Sequence, residues 1–306
     1  MAEKIFEFFG YAPNDQSPEA VRARSTHECP FLQTRCTKKL HTKEKNGIQE
    51  ASGVCTLLQK KAGPVIICPI RLYAGDYQIL RDVANQAFPK DLELVVGGEI
   101  ETFRRENPDK ACVVVFGQRW GKELRLPNRD TKKAGAYFVD WILAHINAGG
   151  TLLDFVAVEV QSIDTTGNYQ AERKSHLGGL PFVGRTTANF NWENVNKRIL
   201  PQIIYKGHVL RQEPLCQKGL FFVCPTPVYG KISERLGGKL SSIHQQAGSV
   251  TMMWYDVGPA VHAGQIRELQ FVGQFTTTVD KIALAFTAPD NLPPAGVYEK
   301  AIRAEL

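Results

Sequence analysis

Residues 136–163 read AYFVDWILAHINAGGTLLDFVAVEVQSI, and the fold turns on how this stretch pairs with itself. Two runs rich in Val, Ile, Leu and Phe flank Asn147-Ala148-Gly149-Gly150, and Asn and Gly at such a join are hairpin residues. A hairpin symmetric about Gly149 and Gly150 sets Asp140 opposite Glu159. Residues opposed in an antiparallel pair lie about 4.5–5.5 Å apart at Cβ. Gln161, two residues beyond Glu159, falls on the same face. Two carboxylates and a carboxamide thereby converge in an apolar hairpin at the centre of a sheet. Like charges opposed in a sheet destabilise it, and a buried carboxylate pair must share a proton or find a cation. Oxygen-only ligands suit Mg²⁺, which takes one or two carboxylates and keeps room for water and substrate phosphate. The stretch predicts a metal site for phosphate-ester chemistry. The bland alternative makes Asp140 the cap of a short helix starting at Trp141, with Glu159 exposed at a strand end, and local pattern does not separate the two.

A chain of 306 residues with 43% apolar and 22% charged residues can bury a sizeable core, as one large domain or two smaller ones. The opening MAEKIFEFFG has no basic region followed by a long apolar core, so no secretory signal is expected. No apolar run approaches the roughly 18 residues of a membrane helix. These features predict a cytoplasmic protein with no membrane partner. A net charge of +6 is compatible with a polyanionic partner without requiring one.

Seven cysteines in a long chain do not suit a secreted disulfide framework. Four of them, Cys29, Cys36, Cys55 and Cys68, fall within about forty residues, two followed by proline. They fit a tetrahedral four-thiolate site for zinc or iron, although the spacing is not that of paired CxxC ribbons. The competing reading is four ordinary buried cysteines. Lys38, Lys39, Lys43, Lys45, Lys60 and Lys61 make the same segment basic, as a solvated surface or as a phosphate-contacting one.

Elsewhere the apolar spacing predicts a helix through Ile79, Leu80, Val83, Ala84 and Ala87, a strand over 92–96, a charged helix over 99–106 and a strand over 111–116. A basic segment, 117–133, precedes the hairpin, and no Walker-type or dinucleotide-binding glycine motif is present. Residues 163–179 read as a polar loop able to face a ligand. Residues 190–212 read as a helix kinked or broken at Pro201, with Lys197, Arg198 and Lys206 off its apolar face. Strands follow over 218–229, 252–257 and 271–279, and a short amphipathic helix ends the chain. Cys216 and Cys224 read as core residues.

Several pieces, in order, carry a family resemblance: CPF at Cys29, RCTKK at Cys36, GVC at Cys55, CPIR at Cys68, GKEL at Gly121, VDW at Val139, EVQ at Glu159, GNY at Gly167 and NVNKR at Asn194. Together they resemble the NotI restriction endonuclease family over roughly residues 5–230. The resemblance implies an α/β fold with a PD-(D/E)xK nuclease core, a central mixed β-sheet flanked by helices, and a small N-terminal metal-binding domain. That gives residues 1–75 as the four-cysteine domain and 76–306 as the catalytic and DNA-binding domain. It assigns Asp140, Glu159, Gln161 and Glu123 to the catalytic positions, with Mg²⁺ at Asp140 and Glu159. It makes Cys29, Cys36, Cys55 and Cys68 ligands of one iron, or zinc. Gln161 stands where many relatives have lysine, and a carboxamide supplies neither positive charge nor a useful base.

The implied activity is Mg²⁺-dependent type II cleavage of a GC-rich palindromic duplex to 5′-phosphate ends by a prokaryotic homodimer, with a cognate methyltransferase protecting host DNA. Arg35, Lys38, Lys39, Arg71, Arg173 and Lys174 are the candidates for DNA contact. The rival expectations are a non-catalytic DNA-binding protein on a nuclease fold and a structure-selective repair or recombination nuclease.

Overall fold

The computed structural model describes residues 2–40, 50–60, 63–117, 125–126, 137–238, 240–288 and 294–306. The N-terminal part runs β1 (Ala2–Phe8), α1 (Pro18–Thr26), a ribbon of β2 (Glu28–Cys29) and β3 (Thr34–Arg35), β4 (Val54–Gln59), β5 (Gly63–Ile66) and a 3-10 turn (Pro69–Tyr73). Next come α2 (Ala74–Ala87), β6 (Glu93–Val96), α3 (Ile100–Glu106), β7 (Cys112–Gly117), and the pair β8 (Arg125–Leu126) and β9 (Tyr137–Phe138). The central hairpin is β10 (Trp141–Ile146) and β11 (Leu152–Val160). After it, β12 (Thr165–Thr166) and β13 (Asn189–Phe190) bracket α4 (Gln170–Leu177). A π-helical turn (Val195–Ile199) leads into α5 (Leu200–Leu210), then β14 (Leu220–Pro225), α6 (Thr226–Arg235), β15 (Ser249–Val257), β16 (Leu269–Thr278), α7 (Val279–Thr287) and α8 (Val297–Glu305).

The main sheet has seven strands in the order β16-β15-β14-β11-β10-β7-β6. It is mixed: β11, β14 and β15 run parallel, as do β6 and β7, while β10 is antiparallel to both its neighbours. A smaller sheet, β1-β4-β5, forms from the N-terminal segment. Strand β14 shows how one sequence supplies both cores. Leu220, Phe222 and Cys224 join the cluster holding Ile203, Val228 and Ile282 of α5, α6 and α7. Phe221 and Val223, pointing the other way, join Ile79, Leu80 and Val83 of α2.

The hairpin pairs Trp141 with Val158 and His145 with Asp154, the register set by symmetry about Gly149 and Gly150. A bulge between His145 and Ile146 takes up the irregularity of the turn and leaves the rest in step. Trp141 begins a strand, so Asp140 does not cap a helix there. Three other segments differ from the sequence expectation, the first being the strand expected over 218–229, which ends at Pro225 and gives way to α6, because Pro225 and Pro227 suit a helix start. Residues 170–177 of the expected polar loop form α4, because Glu172, Arg173 and His176 recur at helical spacing and are buried. Pro201 does not break its helix. The π turn precedes it, with the Leu200 N–H reaching back to Val195 O, and Pro201 then falls in the first turn of α5, where no N–H is required.

Within the N-terminal part Glu7 of β1 pairs with Arg71 of the 3-10 turn, both side chains wholly buried, and Arg71 also reaches the main body. Arg71 Nε donates to Glu7 Oε2 at 2.9 Å, and Nη2 also donates to Arg267 O at 2.8 Å. Removing one member of a buried pair strands the other charge. Glu7→Ala is expected to cost about 3–5 kcal/mol of unfolding free energy, read by urea denaturation. A loss below about 1 kcal/mol, typical of exposed pairs, would show that water reaches the guanidinium.

Candidate active site

The register fixes the geometry of the site. Because Trp141 faces Val158, Asp140 lies beside Glu159 at the end of the hairpin, on the sheet face shared with Ile142 and Ala157. Glu159 is 7% exposed, whereas Asp140 is exposed. Asp140 Oδ2 accepts the Val160 N–H at 2.8 Å, so the aspartate bonds across to the glutamate strand. Gln161 follows past the end of β11. Its N–H donates to Val223 O at 2.9 Å and its amide donates to Ser162 O at 3.1 Å. The hairpin therefore brings Asp140, Glu159 and Gln161 to one end of the sheet. Glu123 lies outside the described residues, as does most of the basic segment before the hairpin.

Glu159 is the tightest part of this arrangement. Its Oε1 lies 2.6 Å from Lys206 Nζ, and both side chains are nearly buried. Its Oε2 is buried and has no hydrogen-bond partner among the described residues. Burial, and then the charge on Asp140, push the Glu159 carboxyl above its ordinary value against the pull of Lys206. A buried carboxylate oxygen left unpaired beside a second carboxylate is an acceptor suited to a hard cation such as Mg²⁺. Lys206 sits with the buried residues of α5 because Ile203, Lys206, Gly207 and Leu210 are spaced at i, i+3, i+4 and i+7. Lys206 therefore lies within the apolar face of its helix and not off it as its charge suggests. The signal was that spacing, which places a lysine within an apolar stripe.

The four clustered cysteines line one small cavity together with Phe9, Pro30, Phe31 and Lys38. All four are free thiols, and among the described residues no group of three or more His, Cys, Asp or Glu side chains stands in metal-holding geometry. Two of the thiols donate to nearby carbonyls: Cys36 Sγ to Lys38 O at 3.8 Å and Cys55 Sγ to Gly53 O at 3.6 Å. Burial raises the Cys29 thiol to about 12 and pushes Cys55 and Cys68 upward, with neighbouring cysteines adding to the effect. Cys216 and Cys224 are buried away from this cavity.

The expected DNA contacts divide into two groups. Arg35, Lys39 and Lys174 are exposed. Lys38 is half-buried and donates to Ile67 O at 2.7 Å. Arg71 and Arg173 are buried: Arg71 is held by Glu7, and Arg173 donates to Ser52 O at 2.9 Å and Ala51 O at 2.6 Å. Those two guanidinium groups join the N-terminal segment to the body and are not presented at a surface.

The site is thus a carboxylate pair at a strand end of a mixed sheet, with one buried carboxylate oxygen that has no hydrogen-bond partner among the described residues. The family model described as restriction endonuclease NotI matches residues 16–255, most of the chain. The chain belongs to the NotI restriction endonuclease family and is a site-specific deoxyribonuclease. No curated protein matches it. No described helix is long and apolar enough to cross a membrane.

Helix α4 supplies a pH test of the scaffold. Glu172 is 1% exposed, accepts the Ile5 N–H at 2.7 Å, and is raised above its ordinary value by burial. The folded state then binds its proton more tightly than the unfolded state. The stability this confers is complete below the unfolded value and is lost as pH rises through the folded one. Glu172→Gln abolishes that titration while keeping an acceptor for Ile5. The melting temperature of the variant relative to wild type is expected to climb as pH rises from about 4 towards neutrality; a constant difference would mean that Glu172 titrates normally.

Proposed function

We propose that the protein is a type II restriction endonuclease that cuts both strands of a GC-rich palindromic duplex as a homodimer, leaving 5′-phosphate and 3′-hydroxyl ends. The observation that carries this reading is the buried, unpartnered Oε2 of Glu159 beside Asp140, in a chain of restriction endonuclease family. Asp140 and Glu159 would hold Mg²⁺, and Glu123 is proposed to complete the acidic set. Mg²⁺, when bound there, would supply positive charge to the attacking water and to the leaving 3′ oxygen of the phosphodiester. Gln161 orients the attacking water through its carboxamide, which accepts and donates without taking up a proton. Arg35, Lys39 and Lys174, all exposed, are proposed to contact the DNA. A DNA substrate of this kind implies a cytoplasmic protein and a separate methyltransferase acting on the same sequence.

Residues 1–75 are proposed as the metal-stapled N-terminal unit and 76–306 as the catalytic and DNA-binding unit. What supports this reading is the donor type alone: four thiols line one small space, and thiolates suit structural iron or zinc, although they do not stand in metal-holding geometry here. Cys29, Cys36, Cys55 and Cys68 would hold the ion, and the Lys38 ammonium, whose charge favours the Cys68 thiolate, would offset the negative charge of the set.

Incubation with a large, unmethylated, GC-rich DNA and Mg²⁺ tests the activity, with Glu159→Ala as control. Discrete fragments with fixed, ligatable ends from wild type alone are expected. Binding without cutting would make the protein a non-catalytic binder, and a smear would make it a nuclease without sequence choice. Elemental analysis of the purified protein tests the N-terminal unit: one iron or zinc per chain is expected, falling to below about a tenth in Cys68→Ser. Protein that folds with no bound metal would leave the cysteines as core residues.

A further inference from the structure

The Asp140–Glu159 pair has an electrostatic problem that position 161 does not solve. Two carboxylates lie side by side, one of them buried, and Gln161 has no charge to offer. The cation comes from elsewhere in the chain, as Lys206 Nζ is 2.6 Å from Glu159 Oε1. Lys206 is 9% exposed, on the core-facing side of α5, and a lysine is seldom placed there without a charged partner.

Two features of the backbone aim it. The π-helical turn Val195–Ile199 inserts extra residue length ahead of α5, which turns every later side chain by about 100° per residue added relative to an uninterrupted helix. Gly207 then lets α5 lie against α7, since a Cβ there would come within 2.8 Å of Val279 Cγ2. Helix phase and helix depth together bring the ammonium to the carboxylate.

We propose that Lys206 is a positioning residue of the nuclease site: it holds Glu159 by Oε1, leaves Oε2 turned to the cation site beside Asp140, and supplies from α5 the positive charge that Gln161 lacks. This rests on the hydrolytic reading of Asp140 and Glu159. The ammonium acts through Glu159 and does not itself touch DNA or the reacting atoms.

The test uses the full chain with Lys206→Met, similar in length and uncharged, and Lys206→Arg, which keeps the charge. Lys206→Gln serves as the neutral variant if methionine beside the carboxylate prevents folding. With wild type cutting in Mg²⁺, the neutral variant is expected to lose about 100-fold in kcat. Its duplex affinity in Ca²⁺ should stay within about threefold of wild type, because the phosphate contacts lie elsewhere. Lys206→Arg should recover at least about a tenth of wild-type kcat, its guanidinium being a cation able to hold the same carboxylate. A crystal structure of the neutral variant without metal gives a readout independent of activity: the Glu159 carboxylate is expected to turn away from Asp140. The proposal is overturned by an unchanged kcat, by an arginine variant as inactive as the folded neutral one, or by a Glu159 that keeps its orientation without the lysine. A wild type that cuts no DNA would instead overturn the hydrolytic reading, and the Glu159 orientation would still decide the role of Lys206.

Discussion

Glu159 is a carboxylate set into the apolar face of a sheet, next to a second carboxylate, and the placement is costly in isolation. Taking an unpaired carboxylate out of water carries a penalty of several kcal/mol even after relaxation. The chain meets this with a buried ammonium, and the demand then spreads through the fold. Lys206 has to project from the inner side of α5, α5 has to enter with the right phase, and it has to lie close to its neighbours. The π turn at Val195–Ile199 and the missing Cβ at Gly207 satisfy those conditions. Among the described residues the offset is partial: Lys206 pairs with one oxygen of Glu159, and the other has no hydrogen-bond partner. A pair fully neutralised by lysines would have no acceptor left for a metal ion.

A second buried pair does different work. Glu7 and Arg71 are sealed from water, and Arg71 also binds the backbone carbonyl of Arg267. Arg71 lies three residues past Cys68, so the contact that fixes the strap between the small sheet and the main body also fixes one wall of the cysteine cavity. Arg173 repeats the pattern from α4, donating to the carbonyls of Ala51 and Ser52 just before Cys55. These guanidinium groups hold the N-terminal segment by several hydrogen bonds each, which a point charge such as lysine would do less well. Basic residues that a sequence offers as DNA contacts are here part of the frame that presents others, such as Arg35 and Lys39, on the surface.

The hairpin was legible because its information is local. Two β-rich runs, a turn rich in Asn and Gly, and symmetry about Gly149 and Gly150 suffice to set Asp140 beside Glu159. Helix α2 was legible for the same reason, its buried Ile79, Leu80, Val83, Ala84 and Ala87 recurring at about 3.6 residues, and β7 stood out as an unbroken apolar run. Lys206 was not read correctly because its partner lies 47 positions earlier and its charge argues for the surface; only the apolar spacing of its neighbours argued otherwise. Arg71 and Arg173 were misleading in the same way, as composition gives their charge and not the carboxylate or carbonyls that bury it. The π turn has no dependable residue signature, so Pro201 read as a break where the helix absorbs it.

The two acids of the site are held before any ligand arrives. Asp140 is fixed by a backbone N–H of the strand beside it, a contact set by sheet register. Glu159 is fixed by a side chain delivered from a helix, a contact set by helix phase. Register and phase are properties of whole elements and do not relax when a single side chain moves. Donors and charges placed in this manner need little reorganisation during reaction, which is where electrostatic catalysis gains most. The same arrangement makes the site sensitive at a distance. A larger side chain at Gly207 would push α5 away from Val279 and carry Lys206 with it, disturbing Glu159 without touching either carboxylate.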